Sequence, residues 1–329
     1  MSEFPAICLS SNQFTGILLE TRFLIFQVVI ILPFLIGSIL SGRLKSLPNT
    51  AKKVISVNLT IFEPPIILWS IWGLTLTLEM AFLPLAGVFL VILGFLLGSI
   101  VIRFMSLKKP SAKVYVICSS LANHGFTMGG FLCYLFAGEQ GLALSAIFLA
   151  YFIPYTFLFI FPYAGIQQKS EIFKWRFVMD FLFTRRNLPI YAVFSALLIK
   201  SMGIERPQVF FPLDILLIIS VSLYYFTLGI NFKISDLNPL GWKQLLLAIQ
   251  KFVILPTITY LALRQFGFSN EIKLVILLQS FMPVAIYAVI AAVMFDLDTR
   301  LASSLFVVNS VFFLAVVLPI LFLTKDLLF

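Results

Sequence analysis

Of the 329 residues, 61% are hydrophobic and 11% are charged, and the mean hydropathy is +1.07. A soluble domain of this length needs roughly a quarter of its residues charged to cover its surface, so this composition excludes one. The net charge of +9 would point to nucleic acid in a soluble chain, but here the charges flank apolar runs, and no nucleic-acid partner is expected.

Apolar runs near the ~20 residues that cross a bilayer as a helix recur along the chain, without the alternation of a barrel strand. They predict an all-α polytopic membrane protein with ten transmembrane helices. The spans are 22–41, 52–72, 81–103, 113–136, 142–163, 187–203, 212–232, 243–265, 271–295 and 300–323. Residues 1–21 read as an extracytoplasmic N-terminal segment. Glu3 and Glu20 against Arg22 alone do not make the positive start of a signal peptide, so the first span is expected to be retained. Pro48, Pro110, Gly138, Pro207 and Pro239 fall in or near the turns. The longest connection, residues 164–186, carries Lys169, Glu171, Lys174, Arg176, Asp180, Arg185 and Arg186. It reads as a cytoplasmic segment linking a first five-helix repeat, 22–163, to a second, 187–329. Cys8, Cys118 and Cys133 lack paired or metal-ligand spacing, so no metal or other cofactor is expected.

Span 2 contains SVNLTIFEPPIILW (Ser56–Trp69), with Asn58 and Glu63 among apolar residues. An ionisable residue at membrane depth is costly and reads by default as functional. Glu63 is therefore a candidate to carry a coupled H+ or to pair with Na+, and Asn58 is a candidate solute contact. The competing reading makes Glu63 structural, near the outer interface or paired with Lys251. Lys251 itself, about eight residues into span 8, is expected to snorkel to the cytoplasmic surface, with attraction of an anion as the alternative.

Spans 4 and 9 are each interrupted near the middle. Span 4 holds the only histidine, His124, beside Asn123, with Gly125, Gly129 and Gly130 following. Span 9 holds LLQSFMPVAIYA (Leu277–Ala288), with Gln279, Ser280, Met282 and Pro283. These are the fourth spans of their halves, and five spans per half make the two repeats inverted. Matched interruptions in inverted repeats mark a transporter's binding site. A break at membrane depth frees backbone N–H and C=O groups at several kcal/mol each, so it survives only against protein or a wet cavity. Half-helix ends then face the cavity, and Asn123, His124, Gln279 and Ser280 offer polar side chains to a solute. Gly125 and Pro283 sit at the break itself, with Met282 beside it. Gly129 and Gly130 either shape the crossing or serve ordinary helix packing.

LANHGFTMGGFLCYLFAGEQGLALSAIFLAYFIPYTFLF (Leu121–Phe159) resembles the fourth and fifth spans of the auxin efflux carrier family. Asn187–Phe232 resembles that family's sixth and seventh spans, and Gln279–Leu323 its ninth and tenth. The resemblance covers nearly all of the chain after about residue 22. It implies the bile-acid-symporter type of fold, with spans 1, 2, 6 and 7 as a scaffold and spans 3–5 and 8–10 as a core in which helices 4 and 9 cross. It also implies a permease for small organic anions such as carboxylates, working by elevator-like alternating access. Asn309 of span 10 faces the core in such a fold and is a candidate contact to the crossing or the solute. The sequence departs from the family where Gly129-Gly130-Phe131 replaces a Gly-x-Pro.

The leading expectation is a secondary transporter of a small organic anion, coupled to H+ or Na+, in the cell membrane (the inner membrane of a Gram-negative cell). A second copy of the chain, as a homodimer, is a candidate partner. A sodium-coupled bile-acid-type symporter is the nearest alternative, though few Asn, Gln and Glu ligands surround the interruptions. An intramembrane enzyme lacks a His-Glu-x-x-His pair or other motif, and a sensor lacks an appended reporting domain.

Basic residues set the orientation. Arg43, Lys45, Lys52, Lys53, Arg103, Lys108, Lys109, Lys113, Lys169, Lys174, Arg176, Arg185, Arg186, Lys233, Lys243 and Arg300 fall on one side. Arg22, Lys200, Arg206, Arg264, Lys273 and Lys325 fall on the other. The richer side is cytoplasmic, which leaves both termini outside. Reporter fusions after Lys109 and Arg176 are expected to read as cytoplasmic and one after Phe329 as extracytoplasmic; a cytoplasmic C-terminus would overturn the inverted scheme.

Overall fold

The computed structural model describes residues 11–41, 47–165, 187–231 and 241–324. Residues 1–10 of the expected N-terminal segment, with Cys8, and residues 166–186 of the expected connecting segment lie outside it, as do Arg43, Lys45 and Lys233. Among the described residues every regular element is helical. In chain order they are α1 (Ser11–Ser41), α2 (Leu47–Val57), α3 (Glu63–Gly73), α4 (Phe82–Val101), α5 (Lys109–Ser120), α6 (Phe131–Phe148), α7 (Phe152–Tyr155) and α8 (Phe161–Gly165). There follow α9 (Leu188–Ser201), α10 (Leu213–Asn231), α11 (Trp242–Ile249), α12 (Leu255–Leu263), α13 (Asn270–Ser280), α14 (Ile286–Met294), α15 (Thr299–Phe312) and α16 (Leu318–Leu323).

Among the described residues, six helical runs are long and apolar enough to cross a membrane: Lys53–Gly73, Leu78–Phe104, Phe126–Gly165, Leu213–Ile230, Trp242–Leu263 and Thr299–Leu323. Gln27–Ser41 and Leu188–Ser201 are shorter apolar helices. The first helix starts at Ser11, eleven residues before the expected span edge. Isolated charges such as Glu20 and Arg22 do not by themselves end a helix.

Five π-helical turns interrupt the described helices, at Asn58–Phe62, Phe126–Gly130, Thr156–Ile160, Gln250–Ile254 and Phe313–Val317. Four of them end two residues before a proline: Pro64, Pro162, Pro256 and Pro319. Proline has no N–H to donate, and its ring clashes with the carbonyl four residues back. Widening the preceding turn relieves that clash without ending the helix. The turns at Thr156 and Phe313 stand at almost the same interval as the interruptions after Ser120 and Ser280, as expected if the two halves repeat.

The run Phe126–Gly165 folds back at one point. Ala137 leaves helical geometry (φ −128°, ψ 16°), and Gly138 takes φ 60° with ψ −150°. That conformation is open to glycine and strained for other residues, so a single glycine makes the turn. α1 lies along α10 through a glycine contact from each helix: a side chain at Gly37 would strike the backbone of Phe226, and one at Gly229 the backbone of Phe34. α2 also packs on α10, and α9 on α3. A second group joins α4 to α5, α13 to α6, α14 to α15, and α15 to both α5 and α11. The two groups also meet at one rim, where Arg206 pairs with Glu139 and lies 4.9 Å from the centre of the Trp69 ring, and Tyr134 donates to Asp214.

Candidate functional site

Two helices stop in mid-protein. α5 ends at Ser120, where Leu121 turns extended (φ −74°, ψ 126°), and helix resumes at Phe126. α13 ends at Ser280, and α14 begins at Ile286 after Ala285 in extended geometry (φ −76°, ψ 145°). The two interruptions lie against each other as an antiparallel bridge between Ala122 and Val284. Asn123 N–H donates to Pro283 O at 2.7 Å, and Ala285 N–H donates to Leu121 O at 3.2 Å.

Several of the backbone groups freed by the breaks find partners within the protein. Ala122 O accepts from His124 N at 2.8 Å and Asn123 O from Gly129 N at 3.2 Å. Gly125 O accepts from Met128 N at 3.2 Å and Gly130 N at 3.0 Å. His124 O accepts from Gln279 Nε2 at 3.5 Å, and Val284 N–H donates to Asn309 Oδ1 at 2.9 Å. A buried orphan would cost about 1–3 kcal/mol, so the pairing keeps the break in place.

This pairing engages most of the polar residues singled out in the sequence, while His124 Nε2, Gln279 Oε1, Asn309 Nδ2 and Asn58 Oδ1 are buried with no hydrogen-bond partner among the described residues. Gln279 and Ser280 are fully buried, as are Met282 and Val284; Ser280 donates to Leu277 O at 2.6 Å. Asn309 holds Val284. His124, 2% exposed, hydrogen-bonds through Nδ1 to the Tyr151 hydroxyl, with Phe148 edge-on at 5.3 Å. Tyr151 therefore braces one interruption as Asn309 braces the other. Asn58 and Glu63 are buried together, with Asn58 Nδ2 donating to Glu63 Oε1 at 3.3 Å. Tyr224 lies in electrostatic reach of Glu63 and Tyr287, and hydrogen-bonds with Thr127. Cys118 and Cys133 are buried and free.

One reading needs correction. Lys251 does not reach the surface: it is 1% exposed and donates to Leu121 O at 3.3 Å. Position along the helix sets its depth in the span but not its direction, and the π turn around it faces it inward. Gly125, at the break, is uncrowded. Its backbone is extended (φ −65°, ψ 171°), and a Cβ there meets only Asn123 Oδ1 at 3.8 Å. Gly129 is the crowded one, since a Cβ would strike the enclosed Gln279 side chain.

Asn123 is the residue of the break that opens onto a cavity of about 430 Å³. The walls come from α1 (Phe34), α10 (Tyr225), the first turn of α14 (Ile286), and α15 (Ser303, Phe306, Ser310). Ser303, Phe306 or Val307, Ser310 and Leu314 recur at helical spacing, a signal present in the sequence but less conspicuous than Asn309 on the same helix. A second cavity of about 230 Å³ lies between α3, α9, Phe126 and the α6–α7 stretch.

A family model described as Membrane transport protein matches residues 23–321. A search of curated proteins finds no significant match.

Filling the crowded glycine is expected to cost about 1–3 kcal/mol, as overpacking does. Gly129→Ala should lower the thermal midpoint of the purified protein by several degrees, while Gly125→Ala leaves it nearly unchanged. Equal effects in a detergent melting assay would contradict the packing described.

Proposed function

The chain belongs to the auxin efflux carriers, a family of membrane transport proteins, and on that premise we propose that it is a secondary transporter of a small organic anion such as a carboxylate. The observation that carries this reading is the cavity beside the paired breaks, with Asn123 in its wall. Its volume lies within the ~300–1,000 Å³ usual for small-molecule sites. α14 opens at Ile286 on the cavity wall. The first turn of a helix carries unpaired N–H groups and a partial positive charge, which favour a carboxylate. The Asn123 amide and the hydroxyls of Ser303 and Ser310 supply further polar contacts, and the aromatic and aliphatic wall takes the carbon skeleton.

In this reading ten spans form two inverted repeats. The group around α1, α3, α9 and α10 is a scaffold, and the helices around the crossing are a core that moves against it, elevator-like. The two cavities support it. One lies between α1, α10 and α15, the other between α9, α3 and the stretch following α6, which are matching positions in inverted halves. His124 acts as a brace through Tyr151, with no solute contact of its own. Glu63, buried at the scaffold face beside Asn58 and Tyr224, is the proposed carrier of a coupled proton.

Uptake of a panel of labelled carboxylates into proteoliposomes tests the function. Asn123→Ala is expected to raise the apparent KM about tenfold or more, the equivalent of one lost polar contact in a dry site, with normal yield of folded protein. Full transport by Asn123→Ala would remove the site from the crossing.

Glu63→Gln keeps the hydrogen bond to Asn58 within reach but holds no titratable proton. It is expected to flatten the pH profile of uptake. An unchanged pH profile would make Glu63 structural.

A further inference from the structure

The rim contacts between the two helix groups have no part in the proposed binding site. Arg206, between α9 and α10, pairs with Glu139, and Tyr134 of α6 donates to Asp214 in the first turn of α10. Both contacts join the proposed scaffold to the proposed core. The scaffold holds its own members firmly. The Arg206 guanidinium lies 4.9 Å from the centre of the Trp69 ring and donates to Trp69 O at 3.2 Å. Trp69 in turn stacks on Phe211 at 4.6 Å. Trp72 Nε1 donates to Ile204 O at 2.8 Å, which ties the loop carrying Arg206 to α3. A Cβ at Gly73 would strike the guanidinium, so the bare backbone leaves room for it. Asp214 sits at a helix N-terminus, where an anion is favoured.

The core brings the other half of each pair. Glu139 follows Gly138, whose φ of 60° makes the fold-back in the run Phe126–Gly165. Tyr134 lies about one turn before that glycine, so both side chains are carried by the stretch that follows the first break. The larger cavity stands toward the other end of the same scaffold helix. Tyr225 and Leu228 line it, eleven and fourteen residues beyond Asp214 on α10. At 1.5 Å per residue that is about 16–21 Å from the rim. The two groups are joined at one end while the solute cavity stands toward the other.

We propose that Arg206–Glu139 and Tyr134–Asp214 form a latch that shuts the rim-side route to the binding site and releases when the core moves. The scaffold supplies a preformed socket, and the core supplies the two side chains that enter it. The paired side chains of Arg206 and Glu139 are 28% and 34% exposed, and an ion pair that open to solvent adds little to stability. That weakness suits a contact broken and remade in every cycle, since states that interconvert so often must lie close in free energy. The inference rests on the transport reading for its functional half, whereas opening of the rim is measured on the purified chain without any solute.

Ser70 supplies a reporter. It is 1% exposed, adjoins Trp69, and lies about one turn from Ile67, which lines the cavity between α3 and the α6–α7 stretch. In a full-length chain with Cys8→Ser, Ser70→Cys is expected to react slowly with a water-soluble maleimide while the rim is joined. Glu139→Gln should raise that rate about fivefold, as should Arg206→Gln, with little change in thermal midpoint. Both substitutions together should gain no more than either alone, because the same contact is lost in each. A second reporter, Leu217→Cys, is fully buried one turn below Asp214, and Tyr134→Phe should raise its rate in the same way. Unchanged labelling at both reporters, summed effects in the double variant, or a midpoint lowered by many degrees would each overturn the latch. In proteoliposomes, Glu139→Gln should lower the apparent KM about fivefold for carboxylate supplied on the rim side, since more carriers present the site there. An unchanged or higher KM would overturn the gating role. If no carboxylate enters at all, the transport reading fails, and the labelling series still decides whether the rim opens.

Discussion

A helix interrupted inside a membrane must find partners for the backbone groups it frees, because neither lipid nor a dry core supplies them. The rest of this structure depends on how that demand is met. Each interruption serves as the other's partner: Asn123 N–H meets Pro283 O, and Ala285 N–H meets Leu121 O. The bridge fixes where the two interrupted helices meet. It also fixes which helix ends point inward, and so where partial charges gather. Around the bridge, side chains from other helices take the groups it leaves over: Gln279 for His124 O and Asn309 for Val284 N–H.

That arrangement engages several of the polar residues near the breaks. His124, Gln279, Ser280 and Asn309 are the residues a reader of the sequence would offer to a ligand, and all four are buried and bound to protein. Holding a broken backbone in place uses the same chemistry as binding a carboxylate, and the larger demand comes first. Lining the apolar cavity beside the breaks are the Asn123 amide, two serine hydroxyls and the first turn of α14. A site built on helix ends needs few charged side chains, because backbone dipoles are already oriented toward it.

The prolines contribute through a different route. Four π turns each precede a proline by the same short interval. Each shifts the phase of the downstream helix by a fraction of a turn, and so rotates its side chains relative to an ideal helix. Lys251 shows the consequence: a residue placed for snorkelling by its depth is directed into the core, against Leu121. The π turn at Asn58–Phe62 likewise precedes Glu63-Pro64, and Asn58 and Glu63 bond to each other five residues apart, across the widened turn.

Local chemistry was enough to identify a helical membrane protein of the auxin efflux carrier family, with helices interrupted at Asn123–Gly125 and near Pro283. Composition, run length and the placement of Gly and Pro act over a few residues, so they can be read one position at a time. Asn123 was legible for the same reason, as a polar residue where the helix stops. Long-range packing settled the rest: that the two interruptions pair, that Gly129 rather than Gly125 is crowded by Gln279, and that His124 turns to Tyr151. The inward course of Lys251 and the share of the cavity wall taken by α1, α10 and α15 came from the same source. Each of these depends on which distant segment arrives alongside and at what rotation, and π turns blur the helical phase from which a sequence would infer it.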